Sequence, residues 1–202
     1  IKMPYIVFAK ILLRIKKNKM NLLKSAFDNK KTYFEFNLNS NSTPTIFIHG
    51  VGLDNTMWFP QKKKFKRKSV IYYDLLNHGK SKKDIKILNF RKFNKQLNDL
   101  IYYLNLKKLN IVGFSIGALI AQHFATQYPN KIEKLVLIGS IFQRNKKQIY
   151  KVKSRFIKSE KGFSISDNSI KRWFNDYYIK KNPNIYNFFF KLLERNKTSD
   201  FI

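Results

Sequence analysis

Leu109-Asn110-Ile111-Val112-Gly113-Phe114-Ser115-Ile116-Gly117-Ala118-Leu119-Ile120-Ala121-Gln122-His123-Phe124 is the stretch that decides how this chain is read. A short apolar run, Leu109 to Val112, enters G-x-S-x-G at Gly113–Gly117, and a segment rich in small and apolar residues follows at once. The context is strand, tight turn, helix, the arrangement that lifts a nucleophilic serine. Such a turn forces strained backbone at the serine, so its neighbours must be nearly free of side chain. Gly113 and Gly117 stand two residues either side of Ser115, and Ala118 extends the small run. The hydroxyl is then raised at a helix N-terminus, where amides and the helix dipole favour negative charge.

Outward from this turn, short apolar runs alternate with helical patterns. Lys31–Leu38 alternates as a strand, Asn39–Pro44 is a polar turn, and Thr45–His49 is a strand that runs into His49-Gly50-Val51-Gly52. A strand entering a glycine-bounded loop can leave amide groups pointing inward. Met57 and Trp58 open a short helix, and Ser69–Asp74 is a buried-type strand leading into a turn, Leu75 to Ser81. In that turn Asn77 and Gly79 are the types that tolerate left-handed backbone. Asn89–Leu104 is the clearest helix, with Phe90, Phe93, Leu97, Leu100, Ile101 and Leu104 on one face and Asn89 as N-cap. A helix over Ile116–Tyr128 stops at Pro129, and Lys134–Gly139 is a further strand. Strands alternating with helices predict an α/β fold, a mostly parallel sheet with helices on both faces. After Ile141 strands give way to helical segments near Asn145–Lys158, Asp167–Tyr178 and Pro183–Arg195, read as a separate helical layer.

Composition sets outer bounds. The 202 residues suffice for one domain, and 44% apolar content excludes a disordered chain. With no cysteine there is no disulfide, thiolate nucleophile or cysteine metal site, which fits a reducing, cytoplasmic setting. No cofactor and no metal are expected. The net charge of +29 admits a nucleic-acid or anionic-membrane partner. However, Asn, Ile, Phe and Tyr are as heavily used as Lys, and all five have A/T-rich codons. Codon bias accounts for all five together, the basic residues are spread out apart from Lys62–Lys68 and Lys146–Lys153, and no nucleic-acid-binding motif is present, so no nucleic acid is expected. Residues 1–19 mix apolar residues with Lys and Arg in a run too short and charged to span a bilayer. They read as an N-terminal extension whose alternative use is contact with a membrane surface.

The His49-Gly50 loop, the Asp74…His78-Gly79-Lys80-Ser81 turn, the Gly113–Gly117 elbow and the segment through Pro129 to Gly139 together resemble the α/β-hydrolase family over residues 32–140. The segment Ser169-Ile170-Lys171-Arg172-Trp173-Phe174, with Asn182-Pro183 and Phe188–Leu193, is similar to the cap of 3-oxoadipate enol-lactonases. Asn77 stands where the family turn usually has glycine. The resemblance implies residues 20–140 as the front of the hydrolase core and 141–202 as part of a helical cap. It implies Ser115 as nucleophile, the backbone amides of Val51 and Ile116 as oxyanion hole, and Trp173 as a cap residue facing the substrate, the alternative being that Trp173 and Phe174 pack the cap onto the core; Trp58 is a further substrate-binding candidate. The partner is then a small-molecule ester or lactone, with the oligomeric state left open.

In this fold the acid and the histidine base follow the nucleophile along the chain. The three histidines are His49, His78 and His123, and none lies beyond the helix that follows Ser115. His123 is about 12 Å along that helix. The expectation is therefore an incomplete copy whose C-terminal strands are missing, with nucleophile and oxyanion hole but no base, and with little or no turnover. The alternative is a non-catalytic, binding or decayed hydrolase-like protein. A basic binder of nucleic acid or membrane, recognised by a steep salt dependence, ranks behind both.

Overall fold

A computed structural model describes residues 22–28, 31–39, 42–81, 88–141, 143–160 and 166–195. The expectation for residues 1–19 lies outside the described residues. Six strands form one sheet: β1 (Leu23–Phe27), β2 (Thr32–Asn37), β3 (Thr45–Ile48), β4 (Val70–Tyr73), β5 (Leu109–Phe114) and β6 (Ile132–Ile138). Their spatial order is β1-β2-β4-β3-β5-β6. β3, β4, β5 and β6 run parallel, whereas β1 pairs antiparallel with β2, and β2 with β4. β1 is absent from the sequence expectation. Its L-K-S-A-F has only three apolar residues, and pairing with β2, Leu23 opposite Phe36, is what makes it a strand.

Seven α-helices occur among the described residues: α1 (Phe59–Lys64), α2 (Phe90–Tyr103), α3 (Ile116–Gln127), α4 (Lys146–Glu160), α5 (Ser166–Trp173), α6 (Asp176–Lys181) and α7 (Pro183–Arg195). Asn89 caps α2 by accepting from Lys92 N–H. α2 and α3 cover one face of the sheet. Phe93, Leu97, Leu100 and Ile101 meet Ile46, Ile48, Ile71 and Ile111, and Phe124 closes the layer. Phe90 departs from the expected face: it is 37% exposed and stacks on His123. On the other face Phe47, Trp58, Val70 and Tyr72 form a smaller core.

The segment read as one helix over Asp167–Tyr178 is two, α5 and α6. Asn175 interrupts them, its extended backbone and side chain capping α6 through Tyr178 N–H. β6 is less covered than a buried-type strand: Leu135, Val136, Leu137 and Ile138 are 37–47% exposed. It is the last strand in the order, and among the described residues only β5 pairs with it.

Candidate active site

β4 lies to one side of β3, and β5, the next strand in sequence, lies on the other. The chain direction across the sheet reverses there, and such a switch point opens a crevice at the carboxyl ends of the strands. Three loops meet at that end, those that follow Ile48, Tyr73 and Phe114.

Ser115 occupies the turn between β5 and α3 with φ 55° and ψ −116°. This is backbone that a residue with a Cβ adopts only under strain. The turn is held from both sides: Ser115 N–H donates to Ile138 C=O at 2.9 Å, and Ser115 C=O accepts from Ala118 N–H at 3.0 Å. The side chain is exposed. Ile116 is the first residue of α3, where the helix leaves its leading amides without intrahelical partners. Ser115→Gly is expected to be more stable than Ser115→Ala by about 1 kcal/mol, because glycine releases the strain and alanine keeps it. Urea denaturation measures this, and equal midpoints would remove the claim of strain.

The loop after β3 presses on this turn. A Cβ at Gly50 would stand 3.3 Å from Ser115 Cβ and 2.9 Å from the Phe114 ring, so only glycine lets the loop come this close. Val51 follows, 42% exposed, and Gly52 turns the chain back at φ 74°. Leu53 and Asp54 then anchor the loop to the helical layer. Leu53 is buried with Ile170, Phe189, Leu192 and Leu193. Asp54 Oδ2 pairs with Arg195 at 2.6 Å. Burial alone would raise the Asp54 carboxyl. Hydrogen bonds from the Thr56 hydroxyl and amide, with Arg195, outweigh burial and hold it below the usual range.

The three histidines are engaged elsewhere. His49 is fully buried. Gly50 C=O, 2.8 Å away, can only accept, and Leu75 N–H, 2.9 Å away, can only donate. These partners require a neutral ring with the proton on Nδ1, and burial lowers the His49 pKa accordingly. With its lone pair taken by Leu75, this ring fastens the β3 loop to the β4 loop. His78 is buried beside it, ring centres 5.3 Å apart, and its Nδ1 donates to Leu76 C=O at 2.8 Å. His123 lies on α3, stacked on Phe90. His49 and His78 are thus held by backbone partners, and His123 by the ring of Phe90.

Beneath the loops runs a polar web that the sequence reading missed. Buried Asp74 accepts from Asn55 N–H at 2.7 Å, Asn55 Nδ2 at 2.6 Å and Lys80 N–H at 2.8 Å. Burial raises its pKa, opposed by the hydrogen bonds from the Lys80 and Asn55 amides. Gln96 of α2 reaches Leu76 N–H, Thr32 Oγ1 and Asp74 C=O. Lys62 joins Glu35 and Asn55. The available signal was Gln96 and Asn94, two amides on the buried side of an otherwise apolar face. Asn77, as expected, is left-handed at φ 61°, and so is Gly79 at φ 54°.

The two tryptophans part company. Trp173 is half-buried and sets its edge against Phe114, the residue before Ser115, with ring centres 5.8 Å apart. Trp58 is 3% exposed and packs on Phe47 beneath the sheet. Trp58 is thus packed among core residues on the underside of the sheet, whereas Trp173 reaches the turn that carries Ser115.

Comparison with known proteins places the chain. A family profile described as alpha/beta hydrolase fold matches residues 43–192. (E)-2-((N-methylformamido)methylene)succinate hydrolase of Acinetobacter baylyi is 27% identical over 150 residues, covering 74% of this chain and 56% of that protein. 3-oxoadipate enol-lactonase 2 of the same organism is 23% identical over 141 residues, covering 69% and 53%. The chain thus spans about half the length of these curated relatives. The crystal structure of the enol-lactonase from Burkholderia xenovorans LB400 superposes with a TM-score of 0.76 at 19% identity, covering 88% of this chain and 70% of that one, a likeness of fold.

Proposed function

The chain belongs to the alpha/beta hydrolase fold family, and from that premise we propose that it carries the nucleophile and oxyanion hole of a serine hydrolase for a small ester or lactone. The observation that carries this reading is the exposed Ser115 at φ 55°, raised where α3 begins and pressed by the Gly50 loop. Strain of this kind is retained where geometry serves chemistry. Ser115 attacks the acyl carbon. The amides of Ile116 and Val51 receive the negative charge that develops on the carbonyl oxygen, usually the largest single term in such catalysis. Trp173, against Phe114, walls the acyl side. The names of the relatives, a substituted succinate hydrolase and an enol-lactonase, support this substrate class.

A serine without a base attacks slowly, and the histidines of this chain are committed elsewhere. The expected behaviour of the 202-residue chain is therefore acylation without turnover. With p-nitrophenyl butyrate, whose leaving group needs no proton, one acyl group accumulates slowly on the peptide containing Ser115. Steady-state hydrolysis stays near the buffer rate. Mass spectrometry of the chain and of Ser115→Ala reads both. Acylation unchanged in Ser115→Ala would remove Ser115 as nucleophile. Turnover at an ordinary enzyme rate would show that a base is present after all.

A further inference from the structure

We propose that α4 seats this protein on an anionic lipid surface. Every described side chain of α4 is exposed except Ser154, which is partly covered. Isolated helices of this length are marginal in water, and helices are normally stabilised by burying an apolar face. α4 has such a face, uncovered among the described residues: Ile149, Tyr150, Val152 and Ile157 are 42%, 73%, 36% and 49% exposed. At helical spacing these four span an arc of about 160°, while Lys147, Lys151 and Lys158 fall within about 40° of one another on the opposite side. An apolar stripe opposite a lysine-rich face is the pattern of a helix lying in a membrane interface. No described helix is long and apolar enough to cross a membrane, and this one has no need to cross.

The occupant follows from the charges. Nucleic acid would neutralise the lysines but gives Ile149, Val152 and Ile157 no apolar phase. A protein groove would cover the apolar arc, yet Lys146 and Lys153 fall inside that arc, between Ile149 and Ile157, and would be buried with it. At a lipid interface their long stems lie along the apolar boundary while the ammonium groups rise to the headgroups. Tyr150, at the edge of the arc, has the same amphipathic habit.

Sedimentation of the 202-residue chain with vesicles tests this, using phosphatidylcholine alone or with one-third phosphatidylglycerol. The expected result is binding to the anionic vesicles only, weakened by salt. The triple variant Ile149→Ser, Val152→Ser, Ile157→Ser should bind about tenfold less tightly. If that variant loses its far-UV circular dichroism, Ile157→Ser alone replaces it, with a smaller loss expected. Unchanged binding by the serine variants would mean that general positive charge holds the vesicles, and the proposal falls. It falls equally if the parent chain does not bind, or if poly-glutamate binds it while the vesicles do not.

Discussion

Gly117→Ala is expected to cost about 3 kcal/mol, the upper part of the range for forcing a methyl group into a packed interior. A Cβ at Gly117 would lie 2.5 Å from Ile48 C=O and 2.6 Å from His49 C=O. Both are backbone atoms of β3 and its loop, so no side chain can rotate away. Either α3 withdraws from the sheet or the loop that carries Val51 moves. Gly113 faces the same helix from the strand side, where a Cβ would collide with the Gly117 carbonyl. Glycine at both positions lets helix and strand backbones touch directly under the Ser115 turn. The mutation should therefore lower the urea midpoint sharply and reduce acylation of Ser115 in whatever fraction remains folded. Ala121, also fully buried on α3, provides the comparison: Ala121→Gly should cost less, about 2 kcal/mol, the helix-propensity difference plus one lost methyl group. A Gly117→Ala midpoint within experimental error of the parent would mean that α3 does not sit this close to β3.

Asp74→Ala is expected to cost a similar amount, about 3 kcal/mol, by a different route. Its carboxylate receives three N–H groups, two from Asn55 and one from Lys80, and the residue is fully buried. Deleting it leaves those donors without an acceptor, and each buried polar group so stranded costs about 1–3 kcal/mol. The loss is offset in part because the buried carboxylate was itself poorly solvated. Asp74→Asn keeps one carbonyl oxygen for Asn55 but turns an amide toward Lys80 N–H, and should fall between parent and alanine variant. Amide exchange at Asn55 and Lys80 reports the site directly. A stable Asp74→Ala variant in which both amides stay protected would show that water or a rearranged loop replaces the carboxylate.

The sequence carried much of this architecture because its signals are local. Glycines at 113 and 117 around a serine, after an apolar run and before a helical one, specify strand, turn and helix within a dozen residues. Asn89 and Pro129 mark helix ends by chemistry that needs no distant partner. β1 was missed because Leu23–Phe27 has a weak intrinsic pattern and is a strand only through pairing with β2. α5 and α6 were merged because the Asn175 cap lies between two segments of the same apolar period. A tryptophan after a loop, such as Trp58, reads alike whether it faces a ligand or the underside of the sheet. Only the fold shows that Phe47 packs against its ring at a tilt, with ring centres 5.2 Å apart.

By itself the sequence determined the fold family, the parallel sheet and the residue at the strained turn, all properties of short-range spacing and apolar period. Only the tertiary structure decided what each histidine does. His49, 26 positions from Leu75, fastens two loops, and His123 stacks on Phe90, a residue from another helix. It alone brought Arg195 across 141 positions to Asp54, tying the helical layer to the loop beside Ser115. Such contacts join residues whose separation in the chain leaves no periodic trace, and burial fixes their chemistry. A histidine's lone pair is available or taken according to which amide the folded chain sets against it.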